Sequence, residues 1–341
     1  VRYGDQLVFS ESFRLASIAS RRRRGSLFVT LRYKPVVGRL PCEVTVRAEF
    51  TPLAAIRLRA TLTNTSSKPL IARLVFPMLD GLNMPQPVGW YFPQRGGAVS
   101  SKPLEGLSSY GGMAWLQLID AFCPRGGIYL RCDDTSGLYK IFALRSVPDP
   151  AVQPRRVADI PKPAHPIEPW RAQAGVHMSI QYIPPTIAPG ESWTTPACTI
   201  CFHPGDWREA LDDYRRFLER WWRPLRPCPD RYRYGFYALV GGVPRDDQRG
   251  EEFGSYDWWH LSYFWSIDYP DELGREIELL KKAAEKAKRW GQAIGVYIEG
   301  MVLEKKRRIA REHGAEWALS LIHISEPTRP LYISYAVFCL K

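Results

Sequence analysis

No run of about 18 apolar residues occurs anywhere in this 341-residue chain, so no segment reads as a membrane-spanning helix. The sequence also lacks the GxxxxGKS/T loop that cradles phosphates, the HExxH helix that holds zinc and the GxSxG turn that presents a serine. Its glycine-rich stretches, such as "VGGV" at 240–243, lack the strand–turn–helix setting of a dinucleotide site. Cysteine is sparse and widely spaced, at Cys42, Cys123, Cys132, Cys198, Cys201, Cys228 and Cys339. Only Cys198 and Cys201 form a CxxC, and they lie in an extended stretch where residues three apart face opposite sides. With no second CxxC to complete a metal site, buried free thiols are expected, and neither a metal nor a cofactor is implied. There is no methionine at the start: the chain opens at Val1 and reads as an open-ended gene fragment, which leaves cytoplasmic and secreted locations equally open.

Negative charge is in short supply as well. A formal charge of +12, with "RRRR" at Arg21–Arg24 and "KKRR" at Lys305–Arg308, invites a nucleic-acid reading. The basic residues are scattered along the sequence rather than gathered with aromatics in a known module, and "RRRRG" between strand-like segments reads as a solvated turn. Nucleic acid is therefore not an expected partner.

What is present begins with alternation. "EVTVRAEF" sets Val44, Val46, Ala48 and Phe50 against Glu43, Thr45, Arg47 and Glu49. "AIRLRATLTN" repeats the device with Ile56, Leu58, Ala60 and Leu62 against Arg57, Arg59 and Thr61. "GVHMSIQY" and "SWTTPACTICF" continue it on either side of the turn signal "APGES". Half-buried strands with no helix among them predict a large antiparallel β-sandwich, supersandwich-like in extent, over residues 1–202. Two interruptions stand out within it. Residues 80–112 are rich in Gly, Pro and aromatics, and residues 147–169 hold seven prolines, so both are expected to be long loops. Trp90, Tyr91 and Tyr110 then either pack beneath the first loop or offer faces on which sugar rings stack.

At "HPGDWREALDDYRRFLERWWRP" the period changes. Trp207, Ala210, Leu211, Tyr214, Phe217, Leu218 and Trp221 follow the i, i+3, i+4 rule, Asp206 with Glu209 resembles a capping box, and Pro224 stops the element. Residues 203–226 thus read as a linker helix to a second domain, with His203 at the joint. Beyond it, strands at 234–241, 258–265 and 292–300 alternate with a helix from Asp271 to Trp290, whose inward positions are Ile277, Leu280, Ala284 and Ala287, and with a basic helix at 303–313. That order implies a parallel sheet with right-handed crossovers. His260, inside an apolar strand, reads as a core residue. No internal repeat is evident.

The end of the chain follows neither period. In "LSLIHISEPTRPLYISYAVFCLK" the apolar positions form no stripe, and Pro327 and Pro330 interrupt any helix. Leu319–Arg329 matches the forward translation of a transposase sequencing adapter, and Ile333–Lys341 matches the flow-cell end of the same oligonucleotide, with room for an index between them. Residues 319–341 are therefore expected to be a non-native, adapter-derived tail.

A sandwich, an amphipathic helix and a (β/α)8 barrel recur in that order in several glycoside hydrolase families, and the chain resembles them. More narrowly, "LTNTSSKPLIARLVFPMLDGL" (62–82), "MAWLQLIDAFCPRGGIYLRCDD" (113–134), "FHPGDWREALDDYRRFL" (202–218) and "YPDELG…AAEKAKRWGQAIGVYIEG" (269–300) resemble a bacterial family, the domain-of-unknown-function family 6259. The resemblance implies that 227–318 is the N-terminal part of an incomplete barrel. It also implies a carbohydrate substrate, with the nucleophile and acid on later strands, beyond Ala318. Within the fragment, Asp268 and Glu299 close expected strands, at the ends where barrels build active sites, and are the catalytic candidates. Trp265 and Tyr269 are candidate sugar contacts. Two functions follow: a fragment of a glycoside hydrolase, or a non-catalytic carbohydrate- or surface-binding sandwich protein. The sugar, the linkage and the oligomeric state stay open.

Overall fold

The computed structural model describes residues 2–3, 6–7, 10–36, 40–94, 96–159, 167–223, 225–227, 237–240, 256–259, 273–290, 294–296 and 311–313. The expected tail, 319–341, lies outside the described residues. The chain divides into two compact units, Val1–Trp222 and Arg223–Lys341.

Among the described residues the first unit holds seventeen strands, one α-helix and a short 3-10 turn at Ser10–Ser12. In chain order the strands are β1 (Arg2–Tyr3), β2 (Gln6–Leu7), β3 (Phe13–Arg23), β4 (Ser26–Pro35), β5 (Cys42–Phe50), β6 (Ala55–Asn64), β7 (Ala72–Leu82), β8 (Gly89–Phe92), β9 (Ala98–Ser100), β10 (Leu104–Tyr110), β11 (Leu118–Cys123), β12 (Gly126–Cys132), β13 (Lys140–Val147), β14 (Arg155–Asp159), β15 (Gly175–Tyr182), β16 (Ser192–Thr194) and β17 (Cys198–His203). One sheet runs β14-β10-β13-β15-β7-β1-β2, and the other β3-β4-β5-β6-β17-β12-β11-β8-β9 with β16 on β6. All pairings are antiparallel except β10 with β14. The arrangement is the two-sheet sandwich that the alternating sequence pattern predicts.

Alternation decides which side chains meet between the sheets. Phe142, Leu144, Met178 and Ile180 from the first sheet share one core with Ile119, Ala121, Leu130, Cys132, Cys198 and Ile200 from the second. Each large side chain closed off in this way contributes about 1.5–3 kcal/mol. The turn between β3 and β4 places Arg24 at φ 49° and Gly25 at φ 78°, the left-handed pair of a two-residue hairpin. Of "RRRRG" only Arg24 and Gly25 form the turn; Arg21–Arg23 belong to the exposed end of β3, where the ladder to Phe28, Leu27 and Ser26 of β4 holds them in the strand.

Both expected loops contain strands. Residues 80–112 hold β8, β9 and β10 along with the end of β7, because "GWYF" and "LEGLSSY" each bury nearly every residue. The proline-rich stretch holds β14, whose "RRVAD" is proline-free and pairs parallel with β10. Proline excludes a ladder only where it stands, and here it brackets the strand.

Helix α1 (Trp207–Trp221) begins at Asp206, whose side chain accepts a hydrogen bond from the Arg208 amide at 3.0 Å. It lies on the outer face of the second sheet, within the first unit. Ala210 and Tyr214 are buried there with Tyr91, Leu118 and Tyr129, and Trp207, Leu211, Phe217 and Leu218 pack around them.

The second unit contains a parallel sheet of β18 (Tyr237–Val240), β19 (Tyr256–Trp259) and β20 (Ile294–Val296). Helix α2 (Leu273–Arg289) joins β19 to β20. On α2, Ala287 is buried as expected, but the position that shares its face is Ala283, while Ala284 is exposed. Ala283 and Ala287 are four apart and stack on one face, which turns Ala284 about 100° away. Helical backbone at 311–313 is the described part of the expected basic helix.

Candidate functional site

Trp265, Asp268, Tyr269 and Glu299 lie outside the described residues, as does His260. Trp90 and Tyr91 are described, and both are closed to solvent. Trp90 faces the core and donates its indole N–H to the Lys102 carbonyl at 2.8 Å. Tyr91, 2 % exposed, stacks on Trp207 with ring centroids 6.2 Å apart and also covers Gly97, where a Cβ would come within 2.5 Å of the ring. Neither ring offers a sugar an open face, so these two follow the packing alternative. The reason is that β8 is an inner strand of its sheet, covered on one side by the core and on the other by α1.

The outer face beneath α1 is polar and tightly paired. Strand register sets Tyr91, Asp120, Tyr129 and Cys201 side by side across β8, β11, β12 and β17. His203 Nε2 lies 3.0 Å from Asp120 Oδ1. Burial pushes the Asp120 carboxyl up, against the pull of His203. Burial alone would lower the His203 imidazole, but the hydrogen bond and charge of Asp120 outweigh it and raise the pKa. One row further, Arg131 Nε lies 2.6 Å from Asp133, while its other arm meets Asp213 of α1, which also accepts from Tyr129. Burial works against the Asp213 charge, yet Tyr129 and Arg131 hold its carboxyl below the usual range. Cys198 and Cys201 do point to opposite faces, Cys198 into the core and Cys201 beneath the helix.

Beyond the end of α1 the same face forms, among the described residues, a groove of about 850 Å³. Its floor is the outward side of β3–β6, and Phe217, Arg220 and Trp221 of α1 form one wall. Six arginines (Arg21, Arg47, Arg57, Arg59, Arg131 and Arg220) line it against two carboxylates, Glu49 and Asp133. Register places Arg47 directly opposite Arg59, and Glu49 opposite Arg57, which it meets at 3.7 Å. Arginines dispersed through the sequence therefore converge in space. The groove was not anticipated as a site. Alternation had already put Arg47, Arg57 and Arg59 on the polar side, but only strand pairing and the seat of α1 bring them together.

On the opposite sheet, Ser179, His177 and Asp80 form a hydrogen-bonded chain, with 2.9 Å from Ser179 Oγ to Nε2 and 2.9 Å from Nδ1 to Asp80. The order resembles that of a nucleophilic triad, but Ser179 and His177 are buried under residues 167–173. Asp80 accepts from the Arg171 and Ala172 amides at 2.8 and 3.0 Å, Arg145 donates to the Ala172 and Gln173 carbonyls at 2.9 and 2.8 Å, and Gln181 pairs with the backbone of Ile167. The chain anchors a strap. Among the described residues no group of three or more His, Cys, Asp or Glu could hold a metal ion, and no helix is long and apolar enough to cross a membrane.

No protein-family model matches the chain, and no curated protein matches it. Among solved structures it is similar to the alpha-galactosidase from Lactobacillus brevis, at 9% identity and a TM-score of 0.42, over 89% of this chain and 44% of that one. It is also similar to TtGalA, the alpha-galactosidase from Thermus thermophilus in complex with stachyose, at 12% identity and TM-score 0.38, over 86% and 57%. A putative aldose 1-epimerase from Escherichia coli K12 is similar at 13% identity and TM-score 0.34, over 56% and 69%. The chain thus spans less than half the length of the first of these proteins and 57% of the second.

Proposed function

We propose that this chain is part of a glycoside hydrolase acting on carbohydrate, comprising a supporting β-sandwich and the opening strands of a (β/α)8 barrel. The observation that carries this reading is the order of parts. A two-sheet antiparallel sandwich is followed by a capped helix seated on its outer face, and then by parallel strands β18, β19 and β20 with α2 between the last two. A parallel sheet needs crossover helices, and a barrel places its chemistry at the C-terminal ends of such strands. Glycosidic cleavage needs two carboxyl groups about 5 Å apart for retention, and further apart for inversion. In this reading the pair follows Ala318, and Asp268, Glu299, Trp265 and Tyr269 serve the substrate from the earlier strand ends.

The test compares two proteins on a panel of aryl-glycosides: this chain, and the product of its natural gene continued past Ala318. This chain is expected to release nothing, and the continued protein to turn over at least one substrate. A folded continued protein that cleaves none overturns the hydrolase reading. Hydrolysis by the present chain, abolished by Asp268→Asn or Glu299→Gln, would instead put the catalytic pair inside it. A second reading, a non-catalytic carbohydrate-binding protein, is favoured by the open groove lying wholly on the sandwich unit. It predicts glycan binding by the continued protein with no turnover.

A further inference from the structure

We propose that the groove between α1 and the outer face of β3–β6 binds an acidic glycan, a chain of sugars bearing carboxylate or sulfate groups. The inference rests on the carbohydrate reading above and names the class of sugar. Three features of the groove carry it.

The first is charge that no ion pair balances among the described residues. Arg47 and Arg59 stand directly opposite each other on neighbouring strands, where like charges oppose folding. Among the described residues, neither they nor Arg220 has an ion-pair partner. The three side chains are exposed and line one cavity. An anion lying between them would relieve the repulsion and accept two-pronged hydrogen bonds from each guanidinium, the geometry that suits carboxylate and sulfate.

The second is that the guanidinium nearest the helix is built in. Arg131 is 4% exposed, held by Asp133 and Asp213, and stacked 4.8 Å over Phe217. It is fixed before any ligand arrives. The groove therefore combines a pre-positioned cation with exposed ones, and its volume of about 850 Å³ suits an oligosaccharide rather than a single ion.

The third separates sugars from nucleic acid. A single strand binds by stacking successive bases on successive open rings. Here Phe28 lies beneath Arg21 at 5.5 Å and Phe217 beneath Arg131, which leaves Trp221, 43% exposed, as the open aromatic of the wall. One free ring among many cations fits a ligand whose anionic groups do most of the binding and whose sugar C–H face meets a single indole.

The test uses the full chain, titrated by tryptophan fluorescence and calorimetry with four probes. These are a hexameric oligogalacturonate, a heparin-derived hexasaccharide, neutral maltohexaose and a thymidylate hexanucleotide. At least one acidic sugar is expected to bind, to weaken as salt is raised, and to lose about tenfold or more in affinity in the Arg47→Gln/Arg59→Gln double variant. Both positions are exposed, and circular dichroism and Tm of the variant are expected to match or exceed those of the parent. Acidic-sugar binding that survives the double variant overturns the assignment to this groove. Maltohexaose binding with no response to acidic sugars overturns the acidic class while leaving the carbohydrate reading intact. Thymidylate binding tighter than either acidic sugar, and lost in the double variant, replaces the inference with a nucleic-acid site. No binding of any anionic probe to folded protein overturns it outright.

Discussion

Lys140 and Asp134 meet in the closed interior of the sandwich, Nζ to Oδ2 at 2.8 Å, with side chains 0% and 3% exposed. Gln117 Oε1 accepts a second hydrogen bond from Nζ at 2.8 Å, and the ammonium lies 4.3 Å from the centre of the Tyr110 ring. Tyr110, one of the aromatics of the expected loop 80–112 left between packing and display, is therefore part of a buried cation's enclosure. Removing Lys140 alone strands a buried carboxylate. Lys140→Met is expected to cost about 3–5 kcal/mol in urea unfolding, and adding Asp134→Asn to recover part of it. A single variant as stable as the parent would show that the pair contributes nothing.

The same enclosure touches the helix, because the Tyr214 hydroxyl accepts from the Gln117 amide at 3.3 Å. Tyr214→Ala removes a side chain 4% exposed, and is expected to cost about 3–5 kcal/mol. Arg215→Ala, one residue on and exposed, is expected to stay within about 0.5 kcal/mol. Equal losses at the two positions would mean that α1 is not seated by its apolar stripe.

Two histidines give the sandwich opposite responses to pH. Burial lowers the His177 pKa below 6.5 against the pull of Asp80, so the neutral ring, with Nδ1–H donating to Asp80, is the folded form. Its contribution is complete above about 6.5 and is lost as pH falls through that value, because the unfolded chain takes up the proton first. His203 is raised above 6.5, so its contribution is complete below that value and is lost as pH rises through the folded pKa. Urea midpoints against pH are expected to fall on both sides. His177→Gln should flatten the acid limb and His203→Gln the alkaline one. Unchanged limbs in both variants would remove the histidines from the account.

Gly127 exists to make room for one of those rings. A Cβ there would lie 2.4 Å from His203 Cε1 and Nε2 and 2.9 Å from the Ala121 carbonyl oxygen, and backbone cannot yield. Gly127→Ala is expected to cost about 1–3 kcal/mol and to erase the alkaline limb by displacing His203 from Asp120. A stable variant with its pH profile intact would show that the ring has space.

If residues 319–341 are adapter-derived, as their sequence leads us to propose, they were never selected to pack against anything, and their deletion is expected to leave the unfolding midpoint of the sandwich unchanged. A drop of several degrees in Tm on deletion would make the tail part of the protein.

The sequence by itself determined what depends on period and local stereochemistry. Alternation in 43–50 and 55–64 specified strands and assigned each arginine to a side, because successive side chains in a strand must point apart. The i, i+3, i+4 stripe from Trp207 and the Asp206 cap specified α1 and its first residue, while its end at Trp221 falls short of Pro224 and of the expected bound at 226. Strands inside glycine- and proline-rich stretches were not legible, because β8 and β14 draw their order from ladders to β11 and β10, partners far along the chain. Nor was the burial of Trp90 and Tyr91: an aromatic reads alike whether it packs or displays, and only the layer above it decides. The groove belongs wholly to the tertiary structure. Arg47 and Arg59 are twelve residues apart in sequence and Arg220 lies on a different element. Only the β5–β6 register and the position of α1 on the sheet bring their charges to one place.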